Sequence, residues 1–125
     1  MRIRRTVISL TFLLLLAYTA PAAEKNYDKF AQCLAKKGVV MYGAWWCPHC
    51  KEQKEKFGDS FTYVNYVECG TQDIPLDRTK QTEACKAKEI HRYPTWIFTT
   101  DKGEERVEKI LTLEELGEKT GCQLP

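Results

Sequence analysis

The sequence lacks a strong excess of charge of either sign, and it lacks repeats, low-complexity stretches and linkers. Its 125 residues include 19 Lys and Arg against 17 Asp and Glu, a formal net charge of +2. So small a positive excess argues against nucleic-acid binding. The length excludes a TIM barrel, a doubly wound nucleotide-binding enzyme and a large two-domain enzyme, so we expect one modest domain.

A long apolar run lies at the start of the chain and has the layout of a secretory signal. It is preceded by three arginines, Arg2, Arg4 and Arg5. The run over 7–18 carries no charge, and small residues, Ala20 and Ala22, stand at the two positions that a signal peptidase reads. We predict a signal peptide over 1–22, cleaved after Ala22 with Ala23 as the alternative, and a domain over 23–125.

An uncleaved membrane anchor is the alternative to a cleaved signal. The strongly apolar part is short for a membrane span, which favours cleavage, and no cysteine closely follows it to accept a lipid. Loss of the three arginines leaves 16 basic residues against the 17 acidic ones, a formal net charge of −1. We expect a protein secreted across the inner membrane into the periplasm or another extracytoplasmic space, where its six cysteines can form disulfides.

Apolar spacing predicts alternating helices and strands in the rest of the chain. It predicts helices over 26–37, 51–57 and 79–89, strands over 39–42, 63–68, 95–99 and 105–110, and a last helix opened by a capping box at 112–115. Alternating strands and helices predict parallel pairing, and the turn at 101–103 predicts one antiparallel hairpin. The expected class is α/β, with a mixed sheet of about four strands flanked by helices.

The strongest chemical signal is the segment Cys47-Pro48-His49-Cys50, between a predicted strand and a predicted helix. The unpaired amides of a helix's first turn stabilise an anion, so a thiol there ionises more readily. Pro48 suits the first turn because its missing N–H is not needed there, and a protonated His49 would also favour the thiolate. Cys50 lies one turn deeper, within disulfide reach. We predict a redox-active Cys47–Cys50 disulfide and no other cofactor.

Other uses of these cysteines fit less well. Haem attachment needs a histidine after the second cysteine, and Lys51 stands there. Zinc needs four ligands at suitable spacing, whereas Cys69 and Cys85 are far from the motif and from each other, so no metal is expected. A purely structural Cys47–Cys50 disulfide would close too small a loop to constrain the chain.

Aromatic residues lie near the motif or near Pro94 in sequence, namely Trp45, Trp46, Tyr93 and Trp96. We expect ordinary packing for at least two of them. The others are candidates for an apolar rim that receives unfolded polypeptide. We expect His91 to face solvent rather than to carry protons.

The segment 46–50, followed at a distance by Tyr93-Pro94-Thr95, resembles the thioredoxin fold. The resemblance implies a three-layer arrangement in which Pro94 is a cis-proline that faces the active-site sulfurs. It also implies that Tyr93 offers its backbone to a bound peptide, with Trp46 and Thr95 beside it as substrate-binding residues.

A closer resemblance covers nearly all of 23–125. The Pro48-His49 dipeptide is similar to that of the DsbA family of periplasmic oxidants. The chain also resembles the thioredoxin-like domain often fused to vitamin K epoxide reductase homologues, at 30–34, 41–50, 53–54, 57–58, 66–69, 93–96, 113–116 and 121–122. That resemblance implies electron transfer from substrate thiols to a membrane enzyme that reduces quinone. Because this chain contains no membrane bundle, we expect a free-standing monomer with a separate membrane partner.

The chain departs from the thioredoxin pattern at Met41. Thioredoxins and DsbA carry a buried acid six residues before the first active cysteine, the position of Met41. Proton transfer to the buried sulfur then needs another route, through water or Glu68. The loop between Cys69 and Cys85 is too short for the helical insertion of DsbA, which argues against broad peptide binding.

The other four cysteines allow three pairings, of which we favour Cys69–Cys85 with Cys33–Cys122. Cys69 ends a predicted strand, and Cys85 lies on the next helix, which must pack back beside that strand. Cys33–Cys122 joins the first helix to the C-terminal end. In the thioredoxin fold those two terminal helices usually cover opposite faces, so this bridge would pass around an edge. We expect two structural disulfides, with a relay to a partner as the alternative for Cys69–Cys85.

Three functions stay open from the sequence. The first is an oxidant of protein thiols, reoxidised by a membrane partner similar to vitamin K epoxide reductase or DsbB. The second is a reductase or isomerase of protein disulfides with the same fold, kept reduced by a membrane donor. The third is a disulfide-stapled binding module without redox turnover, which leaves the Cys47–Cys50 motif at a helix start unexplained.

Overall fold

The computed structural model describes residues 25–125; the predicted signal over 1–22 lies outside them. The α-helices are α1 (Asp28–Lys36), α2 (Pro48–Phe57), α3 (Glu83–Ala87) and α4 (Leu113–Thr120), with a 3-10 helix at Gly58–Tyr63. The strands are β1 (Val40–Gly43), β2 (Asn65–Glu68), β3 (Thr95–Thr100) and β4 (Gly103–Val107). Within residues 25–125, no helix has the length and apolar character needed to cross a bilayer.

Local signals in the sequence set the ends of α1 and α4. α1 buries Phe30 and Leu34 on one face, and Gly38, with a φ of 75°, takes the left-handed conformation that follows the helix. α4 begins with the predicted capping box: the Thr112 hydroxyl accepts from the Glu115 amide, and the Glu115 carboxylate accepts from the Thr112 amide.

The sheet is mixed, in the order β2-β1-β3-β4. β1 and β2 are parallel, whereas β3 is antiparallel to both β1 and β4. The mixed sheet of four strands is as predicted; the parallel pairing expected from alternating strands and helices holds for β1 and β2 but not for β3. β3 starts at the end of the sheet where β2 finishes, since Glu68 pairs with Gly43 and Thr95 pairs with Tyr42. This places Tyr93 beside Cys47.

The predicted helix over 79–89 shortens to α3 because tertiary hydrogen bonds hold the preceding residues. The Thr82 hydroxyl donates to the Glu68 carbonyl at 2.9 Å. The Thr82 amide also donates to the Cys69 carbonyl at 3.0 Å. These bonds fasten the segment before α3 to the end of β2.

Two predicted strands also have different bounds. The strand expected over 63–68 begins only at Asn65, because the 3-10 helix extends to Tyr63. The strand expected over 105–110 is β4, which starts at Gly103 opposite Thr100 and ends at Val107, opposite Trp96. The tight turn therefore starts the pairing two residues earlier than the apolar pattern suggests.

Two apolar clusters lie on opposite faces of the sheet. Strand alternation directs Met41 and Trp96 to the larger cluster, and Tyr42 and Ile97 to the smaller one. α1, α2 and α4 contribute to the larger cluster, and Cys85 of α3 belongs to the smaller one. The first and last helices therefore share one face, which corrects the expectation that they lie on opposite faces.

Candidate functional site

Cys47 and Cys50 lie at the start of α2, after the short loop that follows β1. Cys47 directly precedes the helix with extended backbone (φ −85°, ψ 120°), and Pro48 is the first helical residue. Cys47 is 7% exposed and Cys50 is 1% exposed, and both are free thiols in this structure. Cys47 is thus the more accessible sulfur, although it is mostly buried, and Cys50 lies deeper.

The turn before β3 supplies the opposite wall of the site. The Cys47 thiol donates to the backbone carbonyl of Tyr93 across 3.8 Å, and the Tyr93–Pro94 peptide bond is cis. Pro94 is fully buried. The Thr95 hydroxyl, also buried, donates to the Arg92 carbonyl at 2.7 Å. Thr95 therefore fixes the turn through its side chain, and its part in substrate binding stays a prediction.

Aromatic residues border Cys47. Trp46 packs edge-on against Tyr93, with ring centroids 5.8 Å apart, and the Arg78 guanidinium lies 5.4 Å from the Trp46 ring. The Trp46 indole N–H is buried without a hydrogen-bond partner in the described part of the chain. Trp45 is half-exposed, whereas Trp96 is fully buried in the core. Trp96 therefore packs within the core, Trp46 and Tyr93 pack against the core from beside Cys47, and Trp45 is the most exposed part of the candidate rim.

The remaining polar residues of the motif region lie at the surface. Pro48 and His49 are exposed on the first turn of α2, between the two cysteines. His91 is exposed on the connection to β3, as expected. His49 is thus placed to meet a partner, and the environment of Cys50 is set by other residues.

Cys50 faces an apolar interior and the end of β1. Burial raises the pKa of the Cys50 thiol to about 12, and the neighbouring sulfur of Cys47 acts in the same direction. Met41, at the position where thioredoxins carry an acid, is fully buried in the larger cluster. A Cβ on Gly43 would lie 2.8 Å from the Cys50 sulfur, so only glycine fits there without movement.

The sequence analysis missed Tyr66 as a neighbour of the buried sulfur. Its hydroxyl would lie 3.3 Å from that same Gly43 Cβ, and it donates to the Glu68 carboxylate at 2.8 Å. Burial, together with this carboxylate, raises the pKa of Tyr66 above its ordinary value. Residues two apart on a strand share a face, and this is the one sequence signal that links Tyr66 to Glu68.

The other four cysteines form two disulfides, the pairs that the sequence favours. Cys33 is joined to Cys122 with a Cα–Cα distance of 5.9 Å, and Cys69 is joined to Cys85 at 5.5 Å. Cys69 and Cys85 are both fully buried. Across residues 25–125, the His, Cys, Asp and Glu side chains form no group of three or more that could hold a metal ion.

The sequence is similar to those of known proteins. The family model described as Thioredoxin matches residues 18–119. The chain is 39% identical over 114 residues to the Thiol-disulfide oxidoreductase LTO1 of Arabidopsis thaliana, which covers 87% of this chain and 29% of that protein. It is 34% identical over 76 residues to Protein disulfide-isomerase A5 of Mus musculus, which covers 57% of this chain and 14% of that protein.

The same isomerase of Bos taurus is 30% identical over 76 residues, with the same coverage. The chain therefore spans less than a third of the length of these curated relatives. The family match, by contrast, extends over the whole sheet and both cysteines of the motif. The chain belongs to the thioredoxin family.

Proposed function

We propose that this chain is a thiol–disulfide oxidoreductase whose redox pair is Cys47 and Cys50, with protein thiols and disulfides as substrates. The observation that carries the proposal is the position of the Cys47 sulfur, at the start of α2 and 3.8 Å from the Tyr93 carbonyl. A peptide lying along Tyr93 brings its own sulfur to the more accessible of the two cysteines. The names of the relatives, a thiol-disulfide oxidoreductase and a protein disulfide-isomerase, support this reaction class.

The oxidising cycle starts from a Cys47–Cys50 disulfide. A substrate thiolate attacks the Cys47 sulfur, the disulfide breaks, and Cys50 leaves as a thiolate. A second substrate thiolate then attacks the substrate sulfur of the mixed disulfide, and Cys47 leaves as a thiolate. The substrate gains a disulfide, and two electrons pass to the cysteine pair. Cys50 resolves any mixed disulfide that stalls.

Net oxidation is the favoured direction because of the first turn of α2. The start of a helix favours negative charge, and a cysteine pair whose reduced form is stabilised in this way has an oxidising disulfide. Pro48 occupies the first helical position, and the exposed His49 adds positive charge when protonated. The same Pro-His dipeptide underlies the resemblance to DsbA.

The site of action in this proposal is extracytoplasmic. The signal-like segment over 1–22 and the two disulfides outside the motif support it, because such bonds persist in oxidising compartments. A separate membrane enzyme, similar to vitamin K epoxide reductase or DsbB, would restore the Cys47–Cys50 disulfide. We assign structural roles to Cys33–Cys122 and Cys69–Cys85, since full burial of Cys69 and Cys85 disfavours a relay.

A reductase or isomerase is the second candidate, favoured by the similarity to Protein disulfide-isomerase A5. The reduction potential of the Cys47–Cys50 pair separates the two directions. We expect a reduction potential of about −120 mV, typical of strong oxidants of this fold, whereas a potential of about −270 mV would support the reductase. Failure of the wild-type pair to exchange with glutathione at all would contradict both.

A further inference from the structure

The space beside Gly43 brings the buried sulfur and a tyrosine hydroxyl together. A Cβ at Gly43 would lie 2.8 Å from the Cys50 sulfur and 3.3 Å from the Tyr66 hydroxyl oxygen. Because glycine has no side chain, no group of residue 43 separates the two atoms. The two atoms are not hydrogen-bonded to each other in residues 25–125, so the proton path between them is one that a single water bridges.

Contacts to its ring and to its hydroxyl fix the position of Tyr66. The Lys54 ammonium lies 4.0 Å from its centroid, and the Phe61 ring packs against it edge-on at 5.6 Å. The hydroxyl donates to one oxygen of Glu68 at 2.8 Å. Tyr66 thus has a fixed position, with its proton directed at a carboxylate.

Glu68 is positioned as firmly as Tyr66. Its other oxygen accepts from the Trp45 amide at 2.9 Å and from the Gly70 amide at 2.7 Å. Two backbone amides and the Tyr66 hydroxyl therefore fix the position of the Glu68 carboxylate. Glu68 is also partly exposed, so it can exchange a proton with water.

We propose that Tyr66 and Glu68 form a proton relay that serves Cys50, in place of an acid at residue 41. This inference rests on the proposed function and names positioning residues within it. The relay matters when Cys47 is in a mixed disulfide with the oxidising partner and Cys50 must attack.

The Cys50 S–H proton moves across one water to the Tyr66 oxygen, while the Tyr66 O–H proton moves to Glu68. The Cys50 thiolate attacks the Cys47 sulfur, the Cys47–partner bond breaks, and the partner sulfur leaves as a thiolate. The cysteine pair loses two electrons to the partner's disulfide, and Glu68 releases its proton to water.

Cys50 needs a proton acceptor because burial raises the pKa of its thiol, and a protonated thiol is a poor nucleophile near neutral pH. Other titratable or charged groups also face the pair. Lys54 of α2 lies over the tyrosine ring, Cys47 adjoins Cys50, and the Tyr93 hydroxyl is close enough to interact with Glu68. None of the three is hydrogen-bonded to the Tyr66 hydroxyl in residues 25–125.

Stopped-flow kinetics with an aromatic disulfide that releases a coloured thiolate separates the two steps. The first release reports attack by Cys47, and the second reports attack by Cys50. We expect Tyr66→Phe and Glu68→Gln to slow the second release on the order of 100-fold near neutral pH. The first release should keep its rate, and the deficit should shrink as pH rises and solvent deprotonates Cys50.

Matched controls are Tyr63→Phe and Glu118→Gln, both at exposed positions, which should behave as wild type. A wild-type second rate and pH profile in Tyr66→Phe would overturn the relay, as would an equal loss at every pH. If Glu68→Gln does not fold, Tyr66→Phe decides alone, because it keeps the packed ring. Absence of a second release from wild type would instead refute the proposed function.

Discussion

Single residues determine how Cys47 and Cys50 are held, and one of them is a buried amide on the helix that carries Cys50. Gln53 is fully buried. Its oxygen accepts from the Leu111 amide at 2.8 Å and the Trp96 indole at 3.1 Å, and its nitrogen donates to the Leu111 carbonyl at 2.9 Å. Gln53 thereby joins α2 to β3 and to the segment before α4.

We expect Gln53→Leu to lower the free energy of unfolding by roughly 2–4 kcal/mol, because it leaves three buried groups without partners. Urea unfolding measures this loss. Gln32→Leu, at an exposed position on α1, is the control and should change stability little. A loss from Gln53→Leu no larger than that of the control would show that the buried network contributes nothing.

The sequence predicts Cys47 and Cys50 between a strand and a helix, and the structure has them there, because strand, motif and helix are adjacent in the chain. It misses Gln53 and Tyr66 as structural neighbours of the site for the opposite reason. Gln53 bonds to Leu111, 58 residues away, and Tyr66 meets Cys50 only because β2 lies beside β1. Contacts of this kind depend on the order of the strands in the sheet, which a single sequence predicts only weakly.

At the scale of elements, the capping box of α4 gives a direct test of a predicted feature. The Thr112 hydroxyl accepts from the Glu115 amide at 3.0 Å. We expect Thr112→Ala to reduce the free energy of unfolding by about 1 kcal/mol. Thr62→Ala, exposed in the 3-10 helix, is the control. Equal stability of the two variants would contradict the cap.

The same cap makes a pH prediction. The Thr112 amide and the Lys109 ammonium hold the pKa of the Glu115 carboxyl below its ordinary value. A carboxyl with a lowered pKa stabilises the fold above the ordinary glutamate range, and this contribution disappears as pH falls through the lowered pKa. Wild type should therefore exceed Glu115→Gln in stability at neutral pH, and the two should converge in acid.

Thermal unfolding across pH measures this difference. Glu118→Gln, an exposed position on the same helix, should follow wild type at every pH. A constant gap between wild type and Glu115→Gln would contradict the linkage.

The boundaries of the helices show which features the sequence patterns predict and which they do not. The capping box at 112–115 is local, and the structure has it as predicted. The helix over 79–89 is not, because Thr82 bonds to the end of β2 and only Glu83–Ala87 remain helical. The antiparallel direction of β3 is likewise a matter of tertiary pairing with β1 and not of a local pattern.

At the scale of the whole molecule, two disulfides close very different lengths of chain. Cys33 and Cys122 are 89 residues apart in sequence, and Cys69 and Cys85 are 16 apart. In the chain-entropy model the disulfide that closes the longer loop stabilises the fold by about 1–2 kcal/mol more than the other disulfide does. Neither bond involves the redox pair, so both can be removed without touching Cys47 or Cys50.

We expect Cys33→Ala/Cys122→Ala to lose more unfolding free energy than Cys69→Ala/Cys85→Ala, with both losses within about 2–5 kcal/mol. The comparison is made with Cys47→Ala/Cys50→Ala as the background, which prevents exchange with the redox pair. A reversed order would contradict the loop argument. A second variant, Cys69→Ala/Cys85→Ala with Cys47 and Cys50 intact, tests thiol oxidation. If it loses this activity at unchanged stability, the result would instead favour Cys69–Cys85 as a disulfide relay to a partner.

The central claim is that Cys47 is the cysteine that exchanges with the substrate and that Cys50 resolves the mixed disulfide. Mass spectrometry of the Cys50→Ala chain, after incubation with a peptide disulfide, tests this most directly. We predict one covalent peptide per chain, attached at Cys47 and released by reductant, whereas wild type retains none. No adduct on Cys50→Ala, or an equal adduct on Cys47→Ala, would contradict the account.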